Sequence, residues 1–150
     1  MSGWLADTSA IVRWAAGVDA AAWADRVGRG LVRWSTPTRL ELGLVSRSGA
    51  ALRSELGRPP LSLLLVEHLT PQAEERAVQV QALLADQGQR RPPSVPDLLV
   101  AAVAERAGLT VLHVDKDFDL IAGVTGQPVE RLRLTADHPA APAELPIKER

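Results

Sequence analysis

Apolar positions along the chain change repeatedly between two spacings, and this predicts strands separated by helices. Apolar or alternating runs predict strands at 3–6, 31–35, 66–69, 110–114 and 128–134. The clearest helical face lies in the segment after Pro71 and comprises Ala73, Ala77, Val80 and Leu84. Strands that alternate with helices favour an α/β fold with three layers, α/β/α, in which helices cover both faces of a central parallel sheet.

Capping residues suggest where several helices begin and end. Ser9 is the predicted N-cap of a helix over 10–16, and a further helix is predicted from Thr36 to about Ser48. The segment 98–107 is apolar on nearly every side, which indicates a helix deep in the core.

Length and composition limit the kinds of protein that the chain can be. Its 150 residues suit one domain, predicted over 1–134, followed by a tail at 135–150 that is rich in proline and alanine. The chain has no cysteine, which rules out disulfide scaffolds and thiol nucleophiles. Its three histidines are far apart, which argues against a histidine-based metal site. No apolar run approaches the ~18 residues of a membrane span, and we expect a cytoplasmic protein with no membrane partner.

Carboxylates follow the predicted strands at positions that should meet. Asp7 and Asp115 each come directly after a strand, while Asp97 and Glu41 lie in the first turns of helices. In parallel sheets these positions face one edge, where ligands bind. Carboxylates packed together repel one another, so the cluster implies a hard divalent ion, Mg²⁺ or Mn²⁺. Such a site suits hydrolysis of a phosphodiester.

Each carboxylate also has a purely structural interpretation. These are Asp7 and Asp115 as turn residues, Asp97 as the capping partner of Ser94, and Glu41 as that of Thr38. The alternative function is therefore a non-catalytic α/β binding module. A calcium loop starting at Asp115 is rejected, because its sixth and twelfth positions are Leu120 and Gly126 rather than glycine and glutamate.

Four segments, in order and spacing, resemble the PIN domain, and most closely the VapC-type toxin ribonucleases of type II toxin–antitoxin pairs. The resemblance spans about residues 3–134. The four segments are Asp7-Thr8-Ser9, Thr38 to Leu42, Pro96 to Ala102 and Val114 to Phe118.

The resemblance implies an endoribonuclease that depends on Mg²⁺ or Mn²⁺ and leaves a 5′-phosphate and a 3′-hydroxyl. The implied roles are direct metal binding by Asp7, Asp97 and Asp115, action of Glu41 directly or through water, help from Asp117 with a second ion, and orientation of the carboxylates by Ser9. A homodimer and a VapB-type antitoxin are also implied. His113-Val114 precedes Asp115 where many members carry Thr or Ser followed by a basic or polar residue, and we expect this departure to alter substrate contacts rather than ion binding.

Two further predictions concern the partners. Residues 20–58 have a net charge of +4, and the arginines there that we expect to contact the RNA backbone are Arg33, Arg39, Arg47 and Arg53. Codon bias explains the high arginine content equally well, without any contact to RNA. We expect at least one of Trp14 and Trp23 to line an apolar groove for an antitoxin helix. The alternative is that all four tryptophans lie in the core.

Overall fold

A computed structural model of the chain describes residues 3–88 and 91–135. The strands in these residues are β1 Trp4–Ala6, β2 Val32–Ser35, β3 Leu65–Glu67, β4 Thr110–His113 and β5 Val129–Arg131. The helices are α1 Thr8–Ile11, α2 Ala20–Gly28, α3 Thr36–Gly43, α4 Gly49–Leu56, α5 Pro71–Asp86, α6 Val95–Ala107 and α7 Lys116–Thr125, with short 3-10 turns at Trp14–Ala16 and Leu61–Leu63. None of the helices in the described ranges is long and apolar enough to cross a membrane. The predicted tail lies outside these ranges except for Thr135.

The sheet is parallel throughout, as the sequence predicts. Its strands lie in the order β3-β2-β1-β4-β5. The chain therefore adds β2 and β3 on one side of β1, and then β4 and β5 on the other side. The direction of winding therefore reverses between β1 and β4, which are paired neighbours. A crevice opens at such a reversal beyond the carboxyl ends of the strands, and this is where ligands bind in open α/β sheets.

Two apolar cores, one on each face of the sheet, confirm the predicted three layers. Leu5 and Val111 point into a core formed with α5, α6 and α7. Their chain neighbours Ala6 and Leu112 point into the opposite core, which contains residues of α1 and α2. Successive side chains of a strand face opposite sides, so β1 and β4 are packed on both faces and their ends are held firmly.

Helix α6 is buried as its sequence predicts and begins beside the crevice. Ser94 is its N-cap, and the Ser94 hydroxyl accepts a hydrogen bond from the Asp97 N–H at 3.3 Å. Gly108 ends the helix with a φ of 70°, a left-handed conformation that glycine adopts without a steric penalty. Six residues from the middle of the helix are buried: Leu98, Val100, Ala101, Ala102, Val103 and Ala104.

The first helix differs from the prediction of one helix over 10–16 capped by Ser9. Asp7 is the N-cap, because its carboxylate accepts the N–H of Ser9 at 3.0 Å and starts α1 at Thr8. The helix ends at Ile11, and a separate 3-10 turn follows at Trp14–Ala16. The acidic residue after β1 therefore caps the first helix.

The predicted helix from Thr36 to about Ser48 is also wrong in its extent. Ser35 occupies the N-cap position, and α3 ends at Gly43. Ser48 instead starts α4, since its hydroxyl accepts the N–H of Ala51 at 3.1 Å. Glycine and serine are weak helix formers inside a helix. A serine side chain is better suited to capping the start of the next helix than to continuing the preceding one.

Both tryptophans proposed for a docking groove lie in the core. Trp14 is 6% exposed and Trp23 is 3% exposed. The Trp23 ring packs edge-on against Trp4, with ring centroids 5.2 Å apart, and the Arg26 guanidinium lies 4.3 Å from its centroid. The prediction that one of them lines a groove for an antitoxin helix is therefore wrong, because neither offers a surface.

Candidate metal centre and cleft

Asp7 lies at the carboxyl end of β1, at the reversal point of the sheet. Its N–H donates to the carbonyl of Leu112 at 2.9 Å, which continues the pairing of β1 with β4 by one residue. Its carboxylate accepts the Ser9 N–H at 3.0 Å and the Ser9 hydroxyl at 2.6 Å. The side chain is buried, and these bonds define the direction in which it points.

Ser9 joins the two central strand ends. While its hydroxyl donates to Asp7, the hydroxyl oxygen accepts the N–H of Val114 at 2.9 Å, a bond between residues 105 positions apart. Val114 directly precedes Asp115, so a single hydroxyl links the carboxylate after β1 to the segment that carries the carboxylate after β4. The resemblance implies a role for Ser9 in orienting carboxylates, and this is how the chain builds such a contact.

Three carboxylates, from the start of α6 and the start of α7, come together in the crevice. Asp97, Asp115 and Asp117 each place an oxygen within 4.8 Å of the other two, and we call this group the acidic triad. Asp115 is the N-cap of α7, and its carboxylate accepts the N–H of Asp117 at 3.0 Å. Asp97 is 6% exposed. The Ser94 hydroxyl caps α6 through the N–H of Asp97, a bond that does not use the Asp97 carboxylate.

Glu41 reaches the same crevice from α3, on the far side of β2. Its carboxylate accepts the hydroxyl hydrogen of Thr8 at 2.8 Å, and Thr8 adjoins Asp7. Its predicted alternative role as the capping partner of Thr38 is wrong, since Ser35 is the N-cap of α3 and Thr38 lies within the helix. Glu41 and Asp7 are outside the triad, and hydrogen bonds through Thr8 and Ser9 hold them beside it.

The triad forms one part of an open cleft of about 2000 Å³. Three exposed cations line the cleft, and we call them the cation rim: Arg91, Lys116 and Arg131. Apolar side chains form another side, which we call the apolar wall: Leu40, Leu44 and Val95, exposed by 67%, 63% and 64%. The cleft thus combines acidic, basic and apolar surfaces at the edge of the sheet.

The acidic triad fits a hard divalent cation. Carboxylate oxygens this close repel one another, and burial of Asp97 strengthens the repulsion by lowering the local dielectric. Mg²⁺ and Mn²⁺ prefer oxygen ligands, and carboxylates are the charged ones among them. The residues present therefore match the metal type that the sequence implies.

The four arginines predicted to contact RNA lie outside the residues that line the cleft. Arg33 donates to Glu67 across β2 and β3 at 2.7 Å, and the Arg39 guanidinium lies 5.9 Å from the centroid of the Trp34 ring. The cation rim was not predicted. Lys116 stands between two of the triad residues in the sequence, which is a signal that was available, whereas Arg91 and Arg131 reach the cleft only through the fold.

His113 is a further residue of the site that sequence reasoning placed among substrate contacts. Its side chain is fully buried at the end of β4, and its Nδ1 accepts the N–H of Asp115 at 3.1 Å. Burial lowers the pKa of the imidazole, and the carboxylate of Asp119 opposes part of that effect. The Nε2 atom lies 3.6 Å from an oxygen of Asp119. A fully buried ring offers no surface to a substrate, and its hydrogen bond is to the backbone of a triad residue.

Comparison with known proteins decides the family. The PIN domain family matches residues 5–124, which include every carboxylate described above. The chain belongs to the PIN-domain family. This PIN-domain protein is 56% identical to Ribonuclease VapC2 of Mycobacterium tuberculosis over 129 residues, which are 86% of this chain and 92% of that protein.

Solved structures share the fold of this PIN-domain protein. The DNA-bound VapBC structure from Salmonella typhimurium contains a chain with a TM-score of 0.70 and 24% identity, covering 87% of this chain and 98% of that one. VapBC-5 from Mycobacterium tuberculosis, a member of the VapBC family of toxin–antitoxin systems, has a TM-score of 0.59 and 24% identity, with 89% and 100% covered. At this identity the similarity establishes the α/β architecture.

Proposed function

We propose that this PIN-domain protein is the toxin of a type II toxin–antitoxin pair and an endoribonuclease that hydrolyses RNA phosphodiester bonds with Mg²⁺ or Mn²⁺. The observation that carries the proposal is the acidic triad, whose oxygens lie within 4.8 Å of one another in the cleft. The ribonuclease relative, 56% identical over nearly its whole length, supports the same activity.

Asp97, Asp115 and Asp117 are the proposed metal ligands, together with Asp7. A divalent ion held there would stabilise negative charge on the phosphoryl oxygens and increase the acidity of a water nucleophile. Ser9 keeps the Asp7 carboxylate aimed at the crevice through its two hydrogen bonds.

Glu41 is the proposed group that acts on the attacking water. The Thr8 hydroxyl holds one oxygen of its carboxylate at the cleft wall, so the side chain has a defined position from which to accept a proton. The expected products are a 5′-phosphate and a 3′-hydroxyl.

The direct test incubates the purified protein with total bacterial RNA in Mg²⁺, in Mn²⁺ and in EDTA, and maps the new RNA ends. We expect discrete cuts in both metals and none in EDTA, with 5′-phosphates at the new ends. If the protein binds Mn²⁺ in calorimetry but leaves RNA intact in both metals, the alternative of a binding module would be favoured. Absence of Mn²⁺ binding would remove the basis of the proposal itself.

The cation rim is the proposed contact for the RNA backbone, in competition with the four arginines that the sequence suggested. Changing Lys116 and Arg131 together to Gln should weaken RNA binding in EDTA. It should also reduce the salt dependence of log Kd by about 0.7 for each phosphate that the variant no longer neutralises. Fluorescence anisotropy with labelled single-stranded RNA at several salt concentrations measures both. The matched control changes Arg47 and Arg53, also exposed, to Gln, and a larger effect there would return the RNA contact to the sequence-predicted arginines.

The apolar wall suggests where the antitoxin docks. Large apolar side chains exposed by more than 60% on one side of a cleft mark an interaction surface in a water-soluble domain. Leu40 and Leu44 are four positions apart on one helical face, a spacing that suits the apolar face of a partner helix. A VapB-type antitoxin is the proposed partner, in line with the toxin–antitoxin complexes that share this fold.

Leu44→Asp should weaken antitoxin binding by at least about 30-fold, the effect of removing an interaction of about 2 kcal/mol. Co-expression with the proposed VapB-type antitoxin, followed by calorimetry, measures the change in affinity. Val78→Asp is the matched control, because Val78 is also 63% exposed but lies on α5 away from the cleft. Equal effects of the two changes would mean that the wall is not the docking surface.

Two further expectations follow from the proposed role. The compartment is the cytoplasm, where the RNA substrates are. The homodimer stays a prediction of the family resemblance.

A further inference from the structure

The hydrogen bond between His113 and Asp115 defines the chemical state of the imidazole. A backbone N–H can only donate, so Nδ1 must present a lone pair to the Asp115 amide at 3.1 Å. The ring proton then lies on Nε2, which faces Asp119 at 3.6 Å. The ring is thus a buried acceptor with a single possible orientation.

The surroundings of the ring keep it in that orientation. The His113 backbone belongs to β4, and its carbonyl accepts the N–H of Leu132 at 2.9 Å. The imidazole is fully buried, and the Phe118 ring packs against it with centroids 5.3 Å apart. Sheet and core together therefore hold Nδ1 in place, which a solvent-exposed acceptor would not achieve.

The same bond sets the start of α7. The N–H of Asp115 donates to Nδ1 of His113, and the Asp115 carboxylate accepts the N–H of Asp117. A rotation of the Asp115 backbone would move the carboxylates of both residues. The acceptor atom at the end of β4 thus lies directly behind two of the three members of the acidic triad.

We propose that His113 is a positioning residue of the metal centre, whose Nδ1 fixes the Asp115 backbone and thereby the carboxylates of Asp115 and Asp117. This rests on the proposed metal-dependent function. It reverses the sequence-based expectation that the departure at His113-Val114 leaves ion binding unchanged. Groups that orient metal ligands from behind typically change metal affinity by about 10–100-fold when they are removed.

Two amide variants separate the acceptor from the bulk of the ring. The oxygen of Asn in His113→Asn takes the place of Nδ1, whereas the longer side chain in His113→Gln carries its amide to the region of Nε2. Both changes remove the ring from its packing against Phe118, so the difference between them isolates the acceptor. The readouts are the Kd for Mn²⁺ by calorimetry and the Mn²⁺ electron paramagnetic resonance spectrum, with thermal unfolding of the metal-free protein alongside.

We expect His113→Asn to bind Mn²⁺ within about threefold of the original protein and His113→Gln to bind at least about 10-fold more weakly. Equal affinities for the two variants, whether both high or both low, would overturn the positioning role. If the original protein binds no Mn²⁺, the metal centre itself fails and the inference fails with it. If the original protein binds and the variants do not differ, the metal centre stands and only the inference fails.

A measurement on the unmodified protein covers the case in which a variant does not fold. The sequence contains three histidines, so the imidazole nitrogen signals are few enough to assign by nitrogen NMR. We expect the His113 signals to show a proton on Nε2 and an acceptor shift on Nδ1, together with slow hydrogen exchange at the Asp115 amide. A proton on Nδ1 would overturn the proposal directly.

Discussion

Asp97→Asn is expected to lower the rate of RNA cleavage by about 100-fold or more and to leave the metal-free protein as stable as before, or more stable. The change removes one negative charge from the triad while keeping the shape of the side chain. A metal site contributes several kcal/mol to the stabilisation of transition-state charge, and each 1.4 kcal/mol corresponds to about tenfold in rate. Removal of a repelling charge offsets any cost to folding.

Cleavage assays, Mn²⁺ calorimetry and urea unfolding in EDTA together check this result. Asp86→Asn is the control, an exposed carboxylate at the end of α5 outside the cleft. Ser94→Ala separates the cap from the ligand, because it removes the acceptor for the Asp97 N–H and should cost about 1 kcal/mol of stability without removing a carboxylate. An Asp97→Asn protein that cuts RNA normally and unfolds more easily would make the carboxylate a structural group, as in a binding module.

Phe118→Ala is expected to lower the free energy of unfolding by about 3–5 kcal/mol. The ring is fully buried in the core formed by α5, α6 and α7. Removing it leaves a cavity directly behind the metal centre, where it packs against His113. Since whole domains of this size are stable by about 5–15 kcal/mol, the change should bring the protein close to unfolding at ordinary temperatures.

Urea unfolding monitored by far-ultraviolet circular dichroism measures the effect. Phe118→Leu is the matched control, because it keeps an apolar side chain of similar size and should cost less than half as much. A decrease below about 1 kcal/mol in Phe118→Ala would mean that the core collapses around the missing ring and that α7 is held mainly by other contacts.

Local patterns in the sequence were sufficient to predict a helix, its buried face and its ends where these depend only on residues within one segment. The apolar character of 98–107 predicts a buried helix, and α6 is buried over its middle. Ser94 and Gly108 mark its ends because capping chemistry needs only neighbouring residues. The helical face after Pro71 is likewise the buried face of α5.

Predictions failed where a local signal competes with an equally local alternative. Ser9 and Asp7 are both good caps, and the carboxylate of Asp7 captures the Ser9 N–H. Trp14 and Trp23 were predicted to line a groove, but large aromatic side chains also fill cores, and these two do. In both cases the local sequence does not distinguish the predicted role from the observed one.

The sequence by itself determined that strands alternate with helices, that the sheet is parallel, and that acidic residues follow the strands at its carboxyl edge. These properties arise from spacing within short segments and from the rule that parallel strands end at one edge. Only the tertiary structure decided which of those acids meet and what holds them. The bond from Val114 to Ser9 spans 105 positions, and both this bond and the cation rim depend on which strands become neighbours. Those neighbours are chosen by the packing of two cores over the whole chain, a property that no single segment contains.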